Sequence, residues 1–328
     1  MKRRIIVLLV ILMAALLLSS CDELKTFFSD GTETEEYMDY SGKGKPCTVK
    51  WAGIRVSSYG MVRREGKYGV KNPYAFDEFP NVSDMSSFGS KMASCYDGST
   101  GAYILIVGTM GGEDSCSLAF PVDGEYDYIW GSKYDAYEDY LDEFDKRGYS
   151  VWLQVEPGYA NLVTLAKLVL DRYGHHSCVK GFGIDVEWHK PVEDSDEGTK
   201  LSDTDVKKVL AKVRSYNPDY TVFVKHWMTE QLPSKMEGLI YVNDSQQFKS
   251  MDEVIEDFSQ WAAYYAPQPV MFQIGYEADR GIWNGTDYTK NPAKLFGQAI
   301  VDGCKSGNNV GIIWVDFTLK EAMSKIDK

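Results

Sequence analysis

The chain has 328 residues, 44% of them hydrophobic, and a net charge of −13. That length allows one large or two medium domains with a sizeable core, and a single α/β barrel fits it. The acidic balance excludes nucleic acid and other polyanions as natural partners, because a negative surface repels them, and leaves neutral glycans open.

Lys2, Arg3 and Arg4 precede an unbroken apolar run, Ile5 to Leu18. A positive start and a run too short to span a bilayer predict a signal peptide over residues 1–20. Leu18-Ser19-Ser20-Cys21 resembles the lipobox of bacterial lipoproteins. The resemblance implies cleavage before Cys21, lipidation of Cys21, and an anchored, extracytoplasmic protein of the cell envelope. Removing residues 1–20 takes the net charge from −13 to −16, since those three cations are the only charges there. Residues 21–46 read as a tether: Asp30 to Glu36 is acidic, Ser41 to Pro46 is small and polar, and neither has a helical or strand period. The fold is expected from Cys47 to Lys328 as a single domain. Besides Cys21 there are five cysteines, at 47, 95, 116, 178 and 304, with neither a CxxC pair nor a zinc pattern. Buried structural roles are expected for them, and one or two disulfides are permitted outside the cytoplasm.

From residue 47 onward, runs rich in Val and Ile alternate with amphipathic stretches. The predicted strands are 51–58, 102–109, 150–156, 181–188, 220–227, 239–244, 270–276 and 310–317. The predicted helices are 83–96, 134–147, 161–173, 202–216, 250–265, 292–305 and 319–325, with Ser202 as a capping residue. Eight strands in alternation with helices predict a (β/α)8 TIM barrel. The weak unit is Met228 to Gly238, which has room for little more than one helical turn between two strands. The segment from Tyr59 to Val82 carries Tyr68, Tyr74, Phe76 and Phe79. It reads equally as the lining of a groove and as a plain excursion.

Barrel enzymes take their catalytic groups from the C-terminal ends of several strands. Those ends here carry Arg55 and Ser57, Gln154 and Glu156, Asp185, Glu187 and His189, Lys225, His226 and Trp227, Asn243 and Asp244, Gln273, Tyr276 and Glu277, and Trp314 and Asp316. Partly buried charge is costly unless paired, so polar ends on seven of eight strands indicate either a site or a closed salt-bridge network. The stretch Gly181-Phe182-Gly183-Ile184-Asp185-Val186-Glu187-Trp188-His189 is central. Read as a strand, it places Gly183, Asp185, Glu187 and His189 on one face. Glycoside hydrolysis needs a proton donor and negative charge near the anomeric carbon. Glu187, nearer the open end, is the expected general acid, and Asp185 its orienting and electrostatic partner. Close carboxylates cannot ionise independently, so one of the two should hold its proton to higher pH. Paired histidines at 175–176 read as solvated or as capping carbonyls. No metal pattern, phosphate loop or nucleophile elbow is present, so no cofactor or metal is expected.

Lys180 to Glu187 resembles the strand-4 signature of glycoside hydrolase family 18, Asp-Gly-x-Asp-x-Asp-x-Glu. Gly181, Asp185 and Glu187 match; Lys180 and Gly183 stand where the first two aspartates would be. Trp314 is similar to the tryptophan that floors the sugar site on that family's last strand. The Asp-x-Glu ending also resembles family 25 lysozymes. The resemblance implies a substrate-assisted mechanism, in which the sugar's own acetamido group attacks, Asp185 orients it and Glu187 protonates the leaving oxygen. A substrate without that group requires a second carboxylate: Glu277 first, Glu156 and Asp316 in reserve. A carboxylate separation of about 5 Å favours retention and a wider one inversion. The sequence therefore reads as a glycoside hydrolase acting on an oligo- or polysaccharide. Its rival is a non-hydrolytic carbohydrate-binding lipoprotein on the same barrel. Nothing in it fixes an oligomeric state.

Overall fold

β-Branched and aromatic residues suit a pleated surface covered on both faces, and their runs here form ten strands. They are β1 (Thr48–Val56), β2 (Thr100–Met110), β3 (Cys116–Leu118), β4 (Ile129–Gly131), β5 (Ser150–Val155), β6 (Val179–Asp185), β7 (Thr221–Lys225), β8 (Leu239–Asn243), β9 (Val270–Ile274) and β10 (Asn309–Trp314). The computed structural model describes residues 44–62, 74–192 and 198–326. The predicted signal peptide, Cys21, nearly all of the tether and Tyr68 lie outside the described residues.

β1 pairs in parallel with β10 on one side and β2 on the other, closing a ring. Around it run β5, β6, β7, β8 and β9, all parallel, giving the eight-stranded barrel expected from the alternation. Among the described residues, seven helices of eight residues or more cover it: α1 (Val82–Ser94), α2 (Glu138–Arg147), α3 (Leu162–Tyr173), α4 (Asp203–Arg214), α5 (Met251–Tyr265), α6 (Pro292–Gly303) and α7 (Leu319–Ile326). Side-chain caps start most of them. Asn81, Asn161, Ser202, Ser250 and Asn291 each accept a hydrogen bond from a backbone N–H of the first turn. The crossover from β7 to β8 holds only the 3-10 turn Thr229–Gln231, as the short spacing required. Among the described residues no helix is long and apolar enough to cross a membrane.

Two features depart from the sequence reading. β3 and β4 extend the sheet beside β2, with β3 antiparallel to it. Three-residue strands carry too little periodicity to be read from sequence. The second departure concerns the central stretch. β6 stops at Asp185, and Val186–Trp188 forms a 3-10 turn, so strict alternation of faces ends there.

The five cysteines of the barrel domain are buried free thiols. In the described part of the excursion after β1, Tyr74, Phe76 and Phe79 pack against the fold. Phe76 stacks on Phe88 at 5.6 Å, Phe79 meets Tyr140 edge-on at 5.8 Å, and the Tyr74 ring lies 4.7 Å from the Arg280 guanidinium.

Alternation along the strands divides the core. Ile54, Leu105, Leu153, Ile184, Val224, Tyr241, Phe272 and Ile312 face the helices. Trp51, Ala102, Ile104, Trp152, Phe223, Ile240, Val242, Met271 and Ile313 fill the barrel itself. Trp51 meets Trp152 edge-on at 5.1 Å. The barrel is thus a packed core at its lower levels, and the buried charged side chains gather near its C-terminal end.

Gly183 shows how tight that core is. A Cβ built there would stand 2.2 Å from the Phe223 ring. Phe223 therefore occupies the space that an aspartate at this position would need. Gly183→Asp combines overpacking, typically 1–3 kcal/mol, with a buried polar group. It is expected to cost at least about 3 kcal/mol in chemical denaturation. Added to Phe223→Ala, it should cost much less than the sum of the two, since the truncated ring vacates the collision site.

Candidate active site at the barrel mouth

Asp185 on β6 is paired in register with Lys225 on β7, and both side chains turn inward. Lys225 Nζ lies 3.1 Å from Asp185 Oδ1 and 3.4 Å from Glu187 Oε2, and it donates a hydrogen bond to Asp244 Oδ2. Gln154 Nε2 donates to Asp185 Oδ2 at 3.0 Å. The 3-10 turn after β6 thus still delivers Glu187 to the group, by a different route from straight alternation. Accessibility separates the three acids: the Asp185 and Asp244 side chains are 4% and 6% exposed, and that of Glu187 is 25% exposed. Of the three acids around Lys225, Glu187 is the one open to a ligand.

Electrostatics follow from this crowding. Burial by itself would strip Lys225 of its proton; Asp185, Asp244 and Glu187 outweigh it and hold the ammonium charged well above the ordinary range. Burial is also the largest influence on Asp185. With repulsion from Glu187, Asp244 and Glu156 added, it raises that carboxyl well above the usual range, against the pull of Lys225. The neighbouring carboxylates thus raise the cost of a charge on Asp185. Glu156 joins the group from the end of β5. Burial raises its pKa, Lys225, Arg55 and Glu187 act on its charge, and its Oε2 accepts a 2.9 Å hydrogen bond from the Met110 amide.

A second set of contacts holds the neighbouring wall. Arg55 donates to Asp316 Oδ1 from Nε at 3.2 Å and from Nη2 at 2.7 Å. Asp316 Oδ2 accepts from the Ser57 amide at 2.8 Å and the Ser57 hydroxyl at 2.6 Å. Burial works against the Arg55 charge, but Asp316 overcomes it and raises the pKa. Asp316 is fully buried and has four donors, so it anchors Arg55 and Ser57 instead of serving as a reserve acid. Tyr276 is also buried, and its hydroxyl donates to Gln273 Oε1 at 3.2 Å.

Several predicted residues lie elsewhere. His189 follows the 3-10 turn; its Nδ1 is 2.9 Å from the Thr199 carbonyl oxygen, and it lines a cavity with Asn161, Asp205 and Lys208. Asn243 sits on the outward face of β8 and donates to Asp257 of α5 at 2.8 Å. Trp314 is fully buried on the outward face of β10, edge-on to Trp283 at 5.2 Å and donating to Thr318 Oγ1 at 3.0 Å. It cannot floor an open sugar site. Both follow from one register rule: a one-residue offset puts a side chain on the other face. Glu277 is exposed on the turn after β9, where Arg280 feels its charge. Among the described residues no hydrogen bond or ion pair joins it to Lys225 or the acids around it. Trp227 is half-buried and stacks on His226 at 4.1 Å.

His226 adds a pH dependence. It is fully buried, its Nδ1 accepts from the Met228 amide at 2.9 Å, and burial lowers its pKa to about 4. The unfolded chain takes up a proton near pH 6.5 that the folded chain refuses. The resulting stability is present above pH 6.5 and is lost as pH falls toward about 4. The full loss is on the order of 3 kcal/mol. His226→Asn, which keeps an acceptor for Met228, should flatten the fall in urea-unfolding stability across that window.

The sequence reading missed Phe223 as the residue that takes up the space beside Gly183. Its signal was present: Phe223 and Lys225 share a face of β7, two apart.

No family model and no curated protein matches the chain. The resemblance to families 18 and 25 therefore rests on the strand motif alone, and Gly183 and Trp314 depart from the family 18 pattern in space as described. Among solved structures, the chain is similar to a psychrophilic glycoside hydrolase family 10 endo-beta-1,4-xylanase. The identity is 10% and the TM-score 0.42, over 81% of this chain and 86% of that one. It is also similar to a Prevotella bryantii endo-beta-mannanase/endo-beta-glucanase at 10% identity and TM-score 0.38, over 84% of this chain and 48% of that one. The chain thus spans about half of the latter, and neither likeness is close enough to transfer an activity or a site residue.

Proposed function

We propose that the chain hydrolyses a glycosidic bond at the mouth of the barrel, as a lipid-anchored protein of the cell envelope. The observation that carries this reading is the gathering of Asp185, Glu187 and Asp244 around the buried Lys225, with Glu187 alone among them partly open. Glu187 is the proton donor to the leaving oxygen. Asp185, whose burial and crowding favour the protonated form, orients the reacting group. The nucleophile is taken to be the substrate's own acetamido group, as the resemblance of the Asp185–Glu187 stretch implies. The acetamido oxygen of the substrate attacks the anomeric carbon as the glycosidic bond breaks and Glu187 gives up its proton. Water then opens the cyclic product and returns a proton to Glu187.

The test is release of reducing ends from matched glycans with and without a 2-acetamido group at the cleaved sugar. Cleavage confined to the acetamido series supports the mechanism. Equal cleavage of both series contradicts it and moves the second carboxylate role to Glu156. One observation favours the rival binding reading: the Glu187 carboxyl is already engaged by Lys225, at 3.4 Å. Saturable binding of a glycan without turnover would establish that rival.

A further inference from the structure

Away from the barrel mouth, the first turn of α2 meets the loop between α3 and β6. Glu138, His175 and His176 converge there. His176 Nδ1 lies 2.9 Å from Asp145 Oδ2. A carboxylate only accepts, so Nδ1 carries the proton, and in the neutral imidazole Nε2 is then the atom that presents a lone pair. That Nε2 is buried, on a side chain 1% exposed, and has no hydrogen-bond partner. It is aimed at Glu138 Oε1, 3.5 Å away, and His175 Nε2 lies 3.2 Å from the same oxygen. Three electron-rich atoms thus stand within 4.8 Å of one another.

We propose that Glu138, His175 and His176 form a divalent metal site of the zinc type, with Glu138 Oε1 and the two Nε2 atoms as ligands. Two ligands at 2.0–2.1 Å from a tetrahedral ion are about 3.3 Å apart, which the 3.2 and 3.5 Å separations match. Nitrogen and carboxylate donors suit zinc. Asp145 has the place of the outer carboxylate that fixes the tautomer of a ligating histidine. Arg172 Nη2 pairs with the other Glu138 oxygen at 3.0 Å and steadies the carboxylate. The side chains of His175 and Glu138 are 58% and 32% exposed, leaving a fourth position to water. The site ties α2 to the loop that leads into β6, at the end of the barrel opposite Asp185.

Zinc chloride titrated into the whole chain, purified without added metal, tests this by calorimetry and by X-ray absorption at the zinc edge. The expected result is one ion per chain, with nitrogen and oxygen neighbours at about 2.0–2.1 Å and no sulfur at about 2.3 Å. His175→Ala, at an exposed position that folding does not need, and Glu138→Gln should each weaken binding at least tenfold, since losing an outer partner alone costs roughly 10–100-fold. Absence of saturable binding, sulfur ligation, or affinity unchanged in both variants would overturn the site.

Discussion

Lys225→Met should unfold far more easily than the parent chain at neutral pH, by about 3–5 kcal/mol. The methionine fills much of the same space, so the loss is electrostatic in origin. Lys225 is the one cation within 4 Å of Asp185, Glu187 and Asp244 among the described residues. Without it, two carboxylates that are almost wholly buried face each other with no countercharge. They recover by taking protons, and this fixes the sign of the pH response. A carboxyl whose folded pKa lies above its unfolded value binds more protons when folded. Stability therefore rises as pH falls from the raised value toward the unfolded carboxylate pKa of about 4. Over that interval the gap between variant and parent should narrow, since His226 contributes the same loss to both chains. Urea denaturation at pH 5 and pH 7.5 reads both slopes. Equal stability of variant and parent at pH 7.5 would mean that the lysine does not hold the acids together.

The second large effect is on turnover. Glu187→Gln should lower the rate of glycan cleavage by about 10²–10⁴-fold, the usual worth of a positioned general acid. Folding should be spared, because the side chain is 25% exposed and its 3.4 Å contact is the longest of the three to Lys225. Glutamine keeps an oxygen that accepts from Lys225 and loses only the transferable proton. Glycan affinity should therefore change little, and the loss should appear in kcat with KM nearly constant. A variant that loses binding and turnover together would assign Glu187 to substrate recognition.

The barrel was legible because its signal is repeated. Eight Val- and Ile-rich runs and the capping residue Ser202 all point to the same alternation of strand and helix. The meeting of Asp185 with Glu187 was legible too, although the backbone achieves it through a turn at Val186. Face was harder to read than position. Trp314 and Asn243 lie at the right strand ends but on the outward side, packed on Trp283 and bonded to Asp257. Continuous apolar strands, buried on both faces, give no alternation from which to tell inside from outside. Long-range pairs were also hidden. Nothing in the chain order announces that Arg55 and Asp316, 261 residues apart, share a bidentate contact. The same holds for His176 and Asp145, which adjacent elements bring together.

The account rests on a carboxyl that gives a proton to a sugar oxygen at the mouth of this barrel. The most direct measurement incubates the parent chain and Glu187→Gln with a panel of 2-acetamido glycans, following reducing-end release and binding in the same samples. The predicted result is cleavage of at least one glycan by the parent, with the variant binding that glycan undiminished and leaving it intact. Cleavage at parental rate by Glu187→Gln would contradict the account.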